Sequence, residues 1–91
     1  MSYKVIPTGR FQKDLKRAEK RGLKLNLLAD AIKILASGEP LPPKYKDHPL
    51  TGNYEGCREC HIQPDWLLIY ETNEKDAVLA AMRTGTHSDL F

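Results

Sequence analysis

Two helical repeats of apolar residues near the start of the chain constrain its fold more than any other feature. Gly22 closes the first repeat and Gly38 the second, each where a glycine commonly follows a helix. The apolar positions share one helix face within each repeat: Phe11, Leu15 and Ala18, then Leu28, Ala31, Ile32 and Leu35. The pattern predicts a helix from an N-cap at Thr8 to about Arg21, a short link, and a second helix over Leu25–Ala36.

Short apolar stretches bounded by turn residues lie on both sides of this helical hairpin and predict β-strands. One strand precedes it, over Ser2–Ile6, and ends at a proline. Three follow it, over Cys57–Ile62, Trp66–Glu71 and Val78–Thr84. The predicted order is β-α-α-β-β-β, an α+β fold with two N-terminal helices packed on a small, mostly antiparallel sheet.

The chain has the size and composition of one small domain spanning residues 1–91. Its hydrophobic content of 41% and charged content of 29% are typical of a globular chain and not of a disordered one. No apolar run approaches the ~20 residues of a membrane helix, and the N-terminus shows no secretory h-region. We therefore expect a cytoplasmic protein.

Positive charge is concentrated in the first helix, although the net charge is only +2. Between Arg10 and Lys24 there are seven Lys or Arg residues against two acids. Such a basic helix can contact phosphates or an acidic protein partner, and it can equally be a solvated face.

A loop over residues 37–54 carries four prolines and is long for so small a domain. Loops of this length are often functional, and this one contains Lys46 and His48. The stretch Lys46–Trp66 holds two of the three histidines and both cysteines, and His87 lies in the tail. The chain therefore predicts one site, built from this middle stretch and the tail.

Strand alternation predicts which of these side chains meet. Residues two apart share a face, so Glu59 and His61 point the same way, and Leu79, Ala81 and Arg83 share a face on the last strand. If the helices cover one side of the sheet, the other side can carry Glu59, His61 and Arg83. The loop can bring His48 over this uncovered surface and the tail can add His87. Histidines with an arginine suit phosphodiester chemistry, which requires no metal or cofactor. The alternative is that the histidines are scattered over the surface.

The residues from Cys57 to His61 also spell C-x-x-C-H, the pattern of covalent haem attachment. The two thiols, with His61 and His48, would also provide the ligands of a structural zinc site. A spacing of three in a strand, however, sends Cys57 and Cys60 to opposite faces. That geometry opposes a shared metal or a disulfide and favours the cysteines as small apolar residues without a chemical role.

Four segments of the chain, YKDHPL, GCRECHI, PDWLLIYE and RTGTHSDLF, together resemble the RelE superfamily of bacterial toxins, and specifically its YafQ branch. The resemblance covers nearly the whole chain, including the early FQKDLKRAEKRG helix. It implies the toxin of a type II toxin–antitoxin system, with a microbial-ribonuclease-like fold that cleaves mRNA in the ribosomal A site.

The resemblance also implies the site residues. It marks the following positions as functional: His48, Glu59, His61, Asp65, Arg83, His87 and Phe91. Lys46 is added as a phosphate-binding residue of the loop. We expect His48 and His87 to be general base and general acid, in either order, with His61 and Arg83 stabilising the phosphorane. Asp65 and Glu59 would orient histidines. Close relatives often have Asp at the strand acid, and the longer Glu59 favours this supporting role over direct proton transfer.

The expected partners are a cognate antitoxin, the 70S ribosome and mRNA, without a membrane. The toxin–antitoxin complex would bind its own operator DNA through the antitoxin. The alternative function is a catalytically weak binding module that acts mainly through the antitoxin complex.

Overall fold

The computed structural model describes residues 2–91. Its strands are β1 (Lys4–Pro7), β2 (His48–Pro49), β3 (Arg58–Gln63), β4 (Trp66–Asn73) and β5 (Val78–Gly85). Its helices are α1 (Gly9–Lys20), α2 (Leu25–Ala36) and a single turn, α3 (His87–Leu90). Short 3₁₀ turns cover Pro43–Tyr45 and Gly52–Tyr54. Within the described residues, no helix has both the length and the apolar character that crossing a membrane requires.

The helices begin and end where the sequence predicts. The Thr8 hydroxyl accepts a hydrogen bond from the backbone N–H of Phe11 at 3.1 Å and caps α1. Gly22 and Gly38 follow α1 and α2 with φ angles of 76° and 84°. Glycine adopts this left-handed backbone without steric cost, so each one ends its helix cleanly.

The sheet has the strand order β1-β5-β4-β3-β2. β1 runs parallel to β5, and the other neighbours are antiparallel, which confirms the predicted α+β fold. The structure contains one strand that the sequence did not predict, the short β2, because the long loop pairs with β3 at these residues. This pairing places His48 directly opposite Glu59 and so builds one side of the candidate site.

Apolar side chains form a cluster on each face of the sheet. The helix-covered cluster contains Phe11, Leu28, Ala31, Leu35, Tyr45, Cys60, Trp66, Leu68, Tyr70, Leu79 and Ala81. The opposite cluster is smaller and contains Cys57, Leu67, Ile69 and Leu90. Burial of each large apolar side chain contributes about 1.5–3 kcal/mol, so the first cluster supplies most of the stability. Leu90 of the second cluster anchors the tail.

The two cysteines lie in different clusters, on opposite faces of the sheet, as their spacing predicts. Both are free thiols. Burial raises the pKa of the Cys60 thiol to about 12, so it stays protonated near neutral pH and is a poor metal ligand or nucleophile.

A bulge in β5 changes the predicted alternation of its side chains. Leu79 and Ala81 pack in the helix-covered cluster. The register then shifts at Met82, and Arg83 pairs with Ile69 of the opposite cluster. Opposed residues of an antiparallel pair share a face. The prediction that Arg83 shares a face with Leu79 and Ala81 is therefore wrong, because the extra residue resets the period of two.

Candidate active site

Three histidines and Glu59 lie together, and we call these four residues the histidine cluster. Nε2 of His48 is 3.5 Å from Glu59 Oε2. Nε2 of His61 is 3.8 Å, and Nε2 of His87 is 4.0 Å, from Glu59 Oε1. The His61 ring lies between the other two, with centroids 6.3 Å from His48 and 6.0 Å from His87. Loop, strand and tail therefore bring three imidazoles to one carboxylate.

Glu59 is the buried centre of the cluster, with only 5% of its side chain exposed. Within residues 2–91 its Oε1 atom has no hydrogen-bond partner. A buried carboxylate is costly unless positive charge or donors compensate it. The three Nε2 atoms are the groups placed to provide that charge when an imidazole is protonated.

His87 is held in one orientation by Asp65. The Asp65 carboxylate accepts hydrogen bonds from the His87 backbone N–H at 3.0 Å and from its Nδ1 at 2.7 Å. The backbone N–H, followed by the side chain, lowers the pKa of Asp65, which therefore stays ionised. With Nδ1 as the donor, Nε2 of His87 is the nitrogen available for proton transfer.

His48 is oriented by a carbonyl instead. Its Nδ1 is 3.1 Å from the oxygen of Pro49, which can only accept, so Nδ1 donates. The basic nitrogen of neutral His48 is then Nε2, on the side of Glu59. About half of the His48 side chain is exposed, which leaves this nitrogen accessible to a substrate.

The loop segment before His48 is fixed by Asp47. Its carboxylate accepts hydrogen bonds from the Tyr70 hydroxyl at 2.7 Å and from Arg58 Nε at 3.1 Å. Burial and this carboxylate raise the pKa of Tyr70 well above its usual range, so the hydroxyl remains a donor. Strands β3 and β4 thus hold the backbone that presents His48.

The tail is held by a second set of contacts around Asp89. Thr86 and Asp89 form a reciprocal capping box at α3, and Arg21 donates two hydrogen bonds to the Asp89 carboxylate at 2.6 and 3.1 Å. The Tyr54 hydroxyl donates to the carbonyl of Leu90 at 2.9 Å. A Cβ atom at Gly85 would lie 2.8 Å from Asp89 Oδ2, so this close packing requires glycine. These contacts position His87.

We expect the tail contacts to weaken in acid. Arg21 holds the pKa of Asp89 well below its usual range, and the pKa of Asp65 is also lowered. A lowered folded-state pKa stabilises the fold above the unfolded-state value of about 3.9, and this contribution is lost as the pH falls further. Asp89→Asn should therefore have a lower Tm near neutral pH, and a smaller further loss of Tm on acidification.

The measurement is the thermal midpoint by circular dichroism across the acid range for wild type and Asp89→Asn. Asp30→Asn, an exposed aspartate of α2, is the matched control and should follow the wild type. A parallel pH dependence of wild type and Asp89→Asn would contradict the role of this carboxylate.

Phe91 lies at the edge of the histidine cluster and is 63% exposed. Its ring meets Tyr54 edge to face at 5.3 Å between centroids, and lies 6.4 Å from the His87 ring. Tyr54 supports one side of the ring. An exposed aromatic beside an imidazole offers a surface on which a base can stack.

Two further predicted residues lie outside the cluster. Arg83 is bound by the buried Asp14, through Nε at 2.7 Å and Nη2 at 3.2 Å. It forms no ion pair or side-chain hydrogen bond with a histidine in the described part of the chain. Lys46 lines a cavity beside His61. The functional roles of both residues stay predictions.

A metal ion has a matching donor set in this site. His48, Glu59 and His61 each offer one ligand atom, and these atoms lie within 4.8 Å of one another. Two imidazole nitrogens and a carboxylate oxygen suit zinc or copper. Because the cysteines are buried on two different faces, His61 is the one residue that this candidate metal site shares with the C-x-x-C-H pattern.

Sequence reasoning missed four supporting residues: Asp14, Arg21, Asp47 and Asp89. One had a local signal, because Thr86 and Asp89 have the spacing of a capping box. The others act through contacts with residues distant in the chain, which no local pattern reveals.

Comparison with known proteins identifies the family. A sequence model described as the bacterial toxin of a type II toxin–antitoxin system, YafQ, matches residues 3–91. The chain belongs to the YafQ family of toxins. It is 45% identical over 85 residues to the mRNA interferase toxin YafQ of Escherichia coli K12, covering 92% of this chain and 90% of the relative.

Solved structures agree with this membership in the YafQ family. The E. coli DinJ–YafQ toxin–antitoxin complex matches with a TM-score of 0.90 and 40% identity, over 100% of this chain and 99% of that chain. A metal-bound toxin from Helicobacter pylori matches with a TM-score of 0.91 and 44% identity, over the full length of both chains. The fold around the histidine cluster is therefore that of YafQ toxins.

Proposed function

We propose that this YafQ-family toxin is an endoribonuclease that cleaves mRNA in the ribosomal A site and so inhibits translation. The observation that carries the proposal is the convergence of three imidazole Nε2 atoms within 4.0 Å of the buried Glu59 carboxylate. Imidazoles exchange protons near neutral pH, and RNA cleavage requires one proton to be removed and one to be supplied. The name of the E. coli relative, an mRNA interferase, supports the same chemistry.

The first step is attack by the ribose 2′-oxygen on the adjacent phosphorus. His48 Nε2 takes the 2′-hydroxyl proton as the new O–P bond forms. His48 suits the role of general base because its Nδ1 already donates a hydrogen bond to the Pro49 carbonyl, which leaves the Nε2 lone pair free.

The second step breaks the bond between phosphorus and the 5′-oxygen. His87 Nε2 supplies a proton to this leaving oxygen, and Asp65 can neutralise the imidazolium form that an acid requires. His61, between the two rings, stabilises the negative charge on the phosphorane, with Arg83 in a supporting role. The products are a 2′,3′-cyclic phosphate and a 5′-hydroxyl.

The ribosome would present the message to the site, in the cytoplasm. Phe91 is the large aromatic side chain exposed at the histidine cluster, and one such ring provides little surface for binding free RNA. The test is cleavage of mRNA in a programmed 70S complex compared with the same RNA alone. We expect efficient cleavage in the complex and little on naked RNA. Equal rates in the two samples would refute ribosome dependence. Absence of cleavage in both samples would favour the alternative function, a binding module that acts mainly through the antitoxin complex.

We propose a cognate antitoxin as the protein partner, supported by the DinJ–YafQ complexes among the matching structures. The antitoxin would also carry the complex to its operator DNA. Arg17 and Arg21 of the basic α1 region are already paired with Asp14 and Asp89. Arg10 and the exposed lysines of α1 are therefore the charges available to an acidic partner or to ribosomal RNA.

The proposed reaction needs no metal ion, and a bound ion should inhibit it. A metal on His48, Glu59 and His61 would occupy nitrogens that must exchange protons or face the phosphate. The description of the 44% identical H. pylori toxin as metal-bound supports metal affinity in this fold. We expect toxin that has been treated with EDTA, and then separated from the chelator, to cleave at the untreated rate in a Mg²⁺-containing 70S complex, and cleavage to fall with added Cu²⁺ in proportion to occupancy of the site. Loss of activity after this treatment of the toxin, restored by Zn²⁺ or Cu²⁺, would contradict the mechanism.

Phe91 is proposed to stack on a base of the bound RNA. Stacking on an aromatic is worth ~1–3 kcal/mol, so Phe91→Leu should lower cleavage by roughly ten-fold or more at an unchanged Tm. Phe91→Tyr and Phe91→Trp are the matched variants and should retain most activity. Full activity of Phe91→Leu in the 70S assay would show that the ring only anchors the tail.

A further inference from the structure

A cavity of about 270 Å³ opens beside His61, on the loop and hairpin side of the histidine cluster. Its walls are Lys44, Lys46, His61, Ile62, Gln63 and Pro64. The volume lies near the lower end of small-molecule sites, ~300–1,000 Å³, and suits a single nucleotide better than a longer ligand.

Besides His61, three polar side chains line this cavity. The side chains of Lys44, Lys46 and Gln63 form no hydrogen bond or ion pair with another side chain among residues 2–91. Two ammonium groups and a carboxamide therefore face a cavity that also has an apolar wall, formed by Ile62 and Pro64. The ammonium groups suit a phosphate, the carboxamide suits the edge of a base, and the apolar wall suits the face of a base.

Local structure fixes the backbone on both sides of the cavity before any ligand binds. Lys44 lies in the 3₁₀ turn Pro43–Tyr45, whose Tyr45 is buried, and its Nζ is 5.2 Å from the centre of that ring. Lys46 follows with a left-handed φ of 49°. On the other wall, a bulge between His61 and Gln63 breaks the regular register of β3. Groups ordered in advance lose less entropy on binding.

His61 belongs both to the cavity and to the histidine cluster, so a ligand in the cavity adjoins the reacting phosphate. Phe91 is not part of the cavity wall and contacts His87 instead. We propose that the cavity binds the RNA nucleotide next to the scissile phosphate, with Lys44 and Lys46 on its phosphate and Gln63 on its base. This inference rests on the proposed function. It adds a second site for an RNA base to the stacking site at Phe91.

The experiment uses programmed 70S complexes with messages that differ only in the bases flanking the cut. Lys44→Ala should lower the rate by about five-fold or more, and by a similar factor on every message, because a phosphate contact carries no sequence information. Gln63→Leu should change the ratio of rates between messages by about ten-fold, because the amide contacts a base edge. Lys75→Ala and Gln12→Leu are exposed matched controls and should behave as wild type.

The outcomes separate this inference from the proposed function. If wild type cuts and either Lys44→Ala or Gln63→Leu matches its control, the nucleotide site is overturned while the nuclease stands. If wild type does not cut, the nuclease fails and the cavity is tested by NMR titration with a short single-stranded RNA. A saturable shift of the Gln63 side-chain amide would support the site, and its absence would overturn it.

Discussion

Replacing His87 by alanine is expected to reduce mRNA cleavage by ~10²–10⁴-fold, the usual contribution of a proton-transfer group. The side chain is 55% exposed and bound by an exposed carboxylate, so its removal should leave the fold and far-UV circular dichroism unchanged. The loss should appear mainly in kcat, because His87 acts on the leaving oxygen in the transition state.

His48→Ala and His61→Ala should lose cleavage to a comparable extent, since each ring faces the same carboxylate. Ser88→Ala, an exposed change in the same turn as His87, is the control and should retain wild-type activity. The measurement is single-turnover cleavage in the programmed 70S complex, with growth arrest on induction as a second readout. If all three histidine variants keep activity within a few-fold, the catalytic assignment is wrong.

Replacing Asp14 by alanine should have the largest effect on stability, a loss of about 3–5 kcal/mol in the free energy of unfolding. The Asp14 side chain is 5% exposed. Its carboxylate accepts hydrogen bonds from Arg83, from Arg17 at 2.9 Å and from the backbone N–H of Thr84 at 3.1 Å. Its removal would leave the mostly buried Arg83 guanidinium without its anion.

Chemical denaturation with urea measures this loss, and Asp30→Ala is the matched control. Asp30 is an exposed aspartate of α2, and its removal should change stability by no more than about 0.5 kcal/mol. Replacing Asp14 and Arg83 together by leucine should restore part of the stability, because no buried charge is then left without a partner. An Asp14→Ala variant within about 1 kcal/mol of wild type would show that the ion pair is not what joins α1 to β5.

Local patterns predicted the secondary structure well. The caps at Thr8 and Gly22 and the span of α2 needed only neighbouring residues, because helices are defined by contacts three and four positions apart. The alternation of side chains along the strand predicted over Cys57–Ile62 likewise placed Cys57 and Cys60 on opposite faces of the sheet. It failed in β5, where the bulge at Met82 depends on how two strands pair.

The candidate site likewise contains residues that the sequence indicated and residues that it did not. Resemblance to YafQ toxins named the members of the histidine cluster, and the structure brings them together. It did not indicate Asp14, which meets Arg83 across 69 positions. Nor did it indicate that Asp47 would bind Tyr70 and so hold the loop that carries His48.

The sequence by itself determined the two long helices, four of the five strands and the faces of the regular strands, which follow from short-range spacing. The residues of the histidine cluster follow from the resemblance to YafQ toxins, whose motifs each lie within one segment. Only the tertiary structure decided the pairing of β2 with β3, the Arg21–Asp89 contact that holds the tail, and the cavity beside His61. Each of these depends on the distance between segments far apart in the chain, which is set by the packing of helices and sheet and not by any local pattern.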